Sequence, residues 1–247
     1  MVQHITLKEM IEAIDLTAPA RNPSPPVRVL YQRGMPSRIS PYQAIRAASV
    51  RNQNHPKKGD RIKVDPIRDI KDIERIKNTL AGSPRDVLLF TIGINTNLRA
   101  SDIVALTVGQ VRHLRTLEDL ELREKKTGKL RRITLNQAVI DAIAGFLSTL
   151  PDDVDGSAPL FPSQRGNYAL TVPSVSRMVK GWCRAVKLNG NYGSHSLRKT
   201  WGYHQRKTFG VDIPTLMECF NHSNQRQTLA YLCVQAEEVR QVYSHKL

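Results

Sequence analysis

The sequence predicts a mainly α-helical domain with one small antiparallel β-sheet. Three observations carry that expectation. From residue 65 onward, apolar residues recur every three to four positions, the spacing of buried helix faces. One segment, 117–135, instead reads as two strand-like runs around Lys-Lys-Thr-Gly-Lys. Cap and stop signals punctuate the periodic stretches.

Taken in order, residues 1–64 stand apart. A short amphipathic helix is expected at 1–14. Six prolines follow within residues 17–42. Proline removes a donor and blocks helix interiors, so this stretch reads as an extended linker or wrapping arm. A second short helix is expected at 41–50. The Lys/Arg-rich run RNQNHPKKGDRIK is either a solvated loop or a DNA-contacting arm. The first domain boundary is therefore placed at 64, between a proline-rich basic arm and a domain over 65–247.

In that domain Ile67, Ile70, Ile73, Ile76 and Leu80 mark one face of a helix. Ser83-Pro84 reads as an N-cap with proline in the first helical position, opening the apolar helix RDVLLFTIGINT. Another helix is expected at 99–106. In the hairpin, Gly128 can supply the positive φ of a tight turn. Asn136 caps a helix whose apolar face holds Val139, Ile140, Ile143, Phe146, Leu147 and Leu150, stopping before Pro151. After the loop containing LFPS, residues 172–186 form a basic amphipathic helix with Arg177, Lys180 and Arg184 three to four apart. Helices at about 195–209, 212–220, 224–232 and 235–243 complete the expectation.

Charge narrows the function classes. The 247 residues include 37 Lys+Arg against 22 Asp+Glu, a formal charge of +15. Such an excess favours a polyanionic partner, most often nucleic acid. No apolar run approaches the roughly 18 residues that a membrane span needs. The N-terminal residues lack the apolar core of a signal peptide, so a cytoplasmic protein is expected. Cys183, Cys219 and Cys233 read as reduced, mostly packed thiols, and their spacings make no zinc pattern.

The chemistry concentrates in three segments. In GSHSLRKT, His195 and Arg198 stand three residues apart at an expected helix start. At that spacing they share a face, and a helix N-terminus favours anions. Arginine can grip two phosphate oxygens, and histidine can move a proton near neutrality. Alone, the pair is weak evidence and reads more readily as a solvated basic face. FNHSNQRQTLAYL adds His222 and, nine residues on, Tyr231. TNLRASDI adds Arg99, with Asp102 three residues later, and the hairpin tip adds Lys126 and Lys129.

This ordered set resembles the catalytic residues of the tyrosine recombinases, the phage integrase family. TNLRASDI is similar to the family's T-G-x-R-x-x-E/D-L box, GSHSLRKT to H-x-L-R-H/K-T, and NHSNQRQTLAY to G-H-S-x-x-x-T-x-x-Y. Asn97 and Asn221 stand where the family has glycine; asparagine is the next-best residue for a left-handed backbone. The resemblance implies the recombinase catalytic-domain fold and a catalytic set of Arg99, Lys126, His195, Arg198, His222 and Tyr231, with Lys129 the alternative lysine. Both arginines would clamp a scissile phosphate, with His222 adding a hydrogen bond. Tyr231 would attack phosphorus, giving a 3′-phosphotyrosine. A phenol titrates near about 10 and needs a base, the role implied for His195. Lys126 would protonate the departing 5′-oxygen. Asp102 is expected to orient Arg99 or cap its helix.

The resemblance further implies double-stranded DNA as partner, a homotetramer on two DNA sites, and no metal, nucleotide or other cofactor. The segment 236–247, carrying Val239, Val242 and Tyr243, is expected to dock either on a neighbouring subunit or on its own core. A type IB topoisomerase-like relaxation activity and a non-catalytic DNA-binding regulator are the alternative readings. The family's helical core-binding domain is longer than the 64 residues preceding this domain, so a reduced clamp or a partner is expected.

Overall fold

The computed structural model describes residues 64–247 except 165, 167, 223, 233–239, 241, 242, 245 and 247. The expected arm, with its helices at 1–14 and 41–50, lies outside the described residues. So does most of the helix expected at 235–243.

The first helix, α1 (Ile70–Leu80), starts later than the apolar spacing suggests, because the Asp69 side chain caps it by accepting from the Lys71 N–H. Ile67 is nonetheless buried, in extended chain: its N–H donates to Thr200 Oγ1 at 2.8 Å. Ile70, counted in the face, is half exposed. Helix α2 (Pro84–Asn95) has Ser83 at its N-cap, but the serine side chain makes no capping bond there. Leu88, Leu89, Phe90 and Ile92 bury α2 on several sides, which makes it the central rod.

The helix expected at 99–106 is instead two short pieces. α3 is Ala100–Ile103 and α4 is Val108–Val111, the latter opened by a bond from the Thr107 N–H to Gln110 Oε1. The hairpin forms as expected from β1 (Asp119–Arg123) and β2 (Leu130–Thr134), antiparallel with Leu122 opposite Arg131. Gly128 takes φ +68° in the turn.

Helix α5 (Gln137–Leu147) is capped by Asn136, whose side chain accepts the Val139 N–H. Four further helices follow: α6 (Val172–Ala185), α7 (Ser194–Lys207), α8 (Ile213–Phe220) and α9 (Gln225–Leu232). α2 packs against α5 and α7, and α7 in turn meets α6, α8 and α9. A main core forms around α2. A smaller cluster of Leu216, Phe220 and Leu232, bordered by Trp201 and Tyr231, joins α7, α8 and α9.

The Cys183 thiol is buried, which pushes its pKa up to about 12, whereas Cys219 is exposed rather than packed. No described helix is long and apolar enough to cross a membrane.

Candidate active site

The fold gathers the separated sequence boxes around one end of α7. Arg99 is the N-cap residue of α3, reached through a left-handed Asn97 at φ +47°. His195 and Arg198 occupy the first turns of α7. α8 ends in a left-handed Asn221 at φ +54°, ψ +42°, which turns the chain sharply into His222. Asparagine therefore occupies left-handed backbone at both places where the family motif has glycine. Tyr231 comes back on α9.

Tyr231 sits among three of the motif residues. Its ring centroid lies 5.4 Å from that of His222 and 6.5 Å from that of His195. The Arg198 guanidinium carbon is 5.4 Å above the Tyr231 ring and 4.8 Å above the Phe220 ring. Phe220 also stacks on His222, centroids 5.1 Å apart and planes 8° from parallel. One buried phenylalanine thus orients an arginine and a histidine at once.

Arg198 is 1 % exposed. It donates through Nη1 to the Asn97 carbonyl and through Nη2 to the Phe220 carbonyl at 3.0 Å. Its Nε has no partner. Burial lowers its pKa to about 9, aided by repulsion from Arg131 and Arg99, so it stays charged at neutral pH. A charged guanidinium amid other cations favours an anion beside it.

Arg99 pairs with Glu124, Nη1 to Oε2 at 2.6 Å, although neither hydrogen on that nitrogen points along the contact. Burial alone would raise the pKa of Glu124. Bonds from Thr127 and Arg131, together with the Arg99 guanidinium beside it, overcome that and bring it down to about 2. Its other oxygen receives Arg131 Nη1 at 2.7 Å. Arg131 Nη2 continues to the Asn97 side chain and to the Cys219 carbonyl at 2.5 Å.

Asp102 takes neither role expected of it: it does not pair with Arg99 and its side chain does not cap α3. Its Oδ1 accepts the Lys125 N–H at 2.9 Å, which fixes the hairpin turn to α3. Lys126 lies in that turn, exposed, and its charge reaches His195. Lys129, beyond Gly128, pairs its backbone carbonyl with the Glu124 N–H at 3.0 Å.

The two histidines are depressed by the same field. Burial lowers His222 to about 4, with Arg198, Arg99 and Arg131 adding to it; its Nδ1 lies 3.1 Å from the Thr228 hydroxyl. His195 shows an exposed edge, yet the packed side of its ring lowers its pKa, and Arg198, Arg99, Lys126 and Lys199 push the same way. Both imidazoles are therefore neutral at pH 7.

Sequence reading missed Glu124, Arg131 and Thr228. Strand alternation held the clue to the first two. Leu120, Leu122 and then Glu124 fall on the inner face, and Arg131 pairs across from Leu122. Opposite charges on the buried face of a hairpin mark a partnered site.

A family model described as the phage integrase family matches residues 68–238. The chain belongs to that family. Among its relatives, a probable integrase/recombinase, YoeC of Bacillus subtilis (strain 168), is 32% identical over 183 residues, covering 73% of this chain and 95% of YoeC. The tyrosine recombinase XerC of Caldanaerobacter subterraneus subsp. tengcongensis is 27% identical over 98% of this chain and 68% of its own length. The integrase fold is shared with the XerH site-specific recombinase, solved as a post-cleavage complex on a palindromic difH substrate. That match has a TM-score of 0.60 at 17% identity over 75% of this chain, and the chain spans 54% of the XerH length.

Proposed function

We propose that the chain is a site-specific DNA recombinase that cuts and rejoins DNA through a covalent 3′-phosphotyrosine on Tyr231. The observation that carries this reading is the seating of Tyr231 against His222, His195 and the Arg198 guanidinium. Family membership supports it, and so does the DNA-bound state of the XerH neighbour.

In this mechanism the scissile phosphate sits between Arg99 and Arg198. Their charge stabilises the pentacoordinate transition state. His222, neutral, holds Nδ1 as acceptor from Thr228 and donates from Nε2 to a non-bridging oxygen. His195 takes the Tyr231 proton as the Tyr231 oxygen bonds to phosphorus. The P–O5′ bond breaks, and Lys126 gives its proton to the departing 5′-oxygen. A 5′-hydroxyl of the partner strand then reverses these steps. The phosphotyrosine conserves the energy of the broken ester, so the reaction balances without nucleotide hydrolysis, and the guanidiniums supply the charge that a metal would otherwise bring.

The catalytic domain is assigned to residues 65–247. The working form is a tetramer on two duplexes, in the cytoplasm.

The test uses supercoiled plasmid and fragmented genomic DNA, without added metal or nucleotide, stopped with detergent. A covalent adduct mapped to Tyr231 by peptide mass spectrometry, and absent from Tyr231→Phe, is the expected result. Sequencing the trapped DNA then gives the site. Joining of two such sites separates strand exchange from simple relaxation. DNA binding without any adduct would leave only a binding protein.

A further inference from the structure

Two buried residues outside the motif set, Glu124 and Arg131, form a charge cluster with the motif residue Arg99. The Glu124 side chain is fully buried, and Arg131 is 7 % exposed. Two guanidiniums brought this close repel each other, and burial costs each its hydration. Glu124 offsets both, placing one oxygen on each arginine.

The contacts also run to three further parts of the site. Glu124 Oε2 accepts from Thr127 at 2.7 Å, inside the turn that carries Lys126. Arg131 reaches Asn97 and the end of α8 through the Cys219 carbonyl. Asn97 gives its own carbonyl to Arg198. The carboxylate therefore ties the lysine turn, the first arginine and, through Arg131, the seat of the second arginine.

We infer that Glu124 is a positioning residue: it holds the Arg99 guanidinium at the phosphate seat and keeps the Lys126 turn in register with it. Arg131 is the countercharge that fixes Glu124 in turn. The inference rests on the proposed recombinase reaction. It assigns to Glu124 the orienting role that the motif spacing suggested for Asp102. Asp102 serves the same turn from the other side, through the Lys125 N–H.

The test compares wild type, Glu124→Gln and Glu124→Asp on oligonucleotides carrying the site recovered from wild-type adducts. Thermal melts and DNA affinity are measured alongside. Glu124→Gln keeps the shape but removes the charge; Glu124→Asp keeps the charge and shortens its reach. Single-turnover adduct formation is expected to fall at least about tenfold in Glu124→Gln with DNA affinity within about twofold, and to recover partly in Glu124→Asp. A neutral methylphosphonate at the scissile position makes an arginine clamp less necessary. On it the ratio of wild type to Glu124→Gln should shrink toward one, which a merely structural defect would not do.

Equal cleavage rates for wild type and Glu124→Gln, or an equal loss on both substrates, would overturn the inference. If wild type itself forms no adduct, the recombinase reading fails separately. Calorimetric titration with inorganic vanadate then decides the positioning role: weaker binding to Glu124→Gln than to wild type supports it, and equal binding overturns it.

Discussion

The Arg198 guanidinium carbon lies 4.8 Å over the Phe220 ring while its Nη2 donates to the Phe220 carbonyl at 3.0 Å. A single residue thus holds an arginine by ring face and backbone together, and the same ring stacks on His222. Phe220 is fully buried. Phe220→Ala should destabilise the domain by about 3–5 kcal/mol, read by urea denaturation. A cost below about 1 kcal/mol would mean that α8 and α9 repack around the gap.

Gly202 supplies the room for that ring. A Cβ there would lie 2.7 Å from Phe220 Cζ. In an open helix, glycine to alanine stabilises by about 1 kcal/mol. Here the overpacking should reverse the sign, so Gly202→Ala should destabilise by about 1–3 kcal/mol. Denaturant midpoints decide it, and a stabilised variant would contradict the packing described.

Stability should depend on pH through His222. Its folded pKa is about 4, against an ordinary 6.5. Between those values the unfolded chain binds a proton that the native chain refuses. Stability is therefore fully present above pH 6.5 and is lost as pH falls toward 4. His195 shifts in the same direction. Glu124, held near 2, contributes in a lower window: its share is present above about 4.5 and is lost as pH falls toward 2. Denaturation midpoints from pH 7 to 4 should decline, and less steeply in His222→Gln. The same slope in both proteins would assign the loss to other groups.

Lys126 and Lys129 are separable by leaving-group chemistry. Lys126→Ala should slow cleavage of the natural ester by at least about a hundredfold. It should regain most of that rate when a 5′-bridging sulfur replaces the oxygen, because a thiolate leaves without a proton. Lys129→Ala should do neither. The opposite pattern in rapid-quench cleavage assays would move the acid to Lys129.

Tyr243 is 85 % exposed, and Tyr231 alone is placed among His195, His222 and Arg198 in the described residues. Tyr243→Phe should therefore form the covalent adduct at the wild-type rate, while Tyr231→Phe forms none. Adduct on Tyr243 in a peptide map would reassign the nucleophile.

The helix periods, the hairpin and the motif residues were legible in the sequence, because these depend on neighbours a few positions apart. Asn136 caps α5 through its own side chain, and Asn221 turns left-handed before His222, as local chemistry requires. Local chemistry also failed locally. Ser83 fills its cap position without a capping bond, and the stretch expected as one helix at 99–106 divides into α3 and α4. At that break Thr107 bridges to Pro159, a tertiary contact that overrides the helical spacing. The sharing of the charges, by contrast, emerges only on folding. Glu124 lies 25 residues from Arg99 in sequence (124 − 99) yet holds it at 2.6 Å, and Asp102, three residues away, does not. Burial makes an uncompensated guanidinium so costly that the nearest carboxylate in space, rather than the nearest in the chain, becomes its partner.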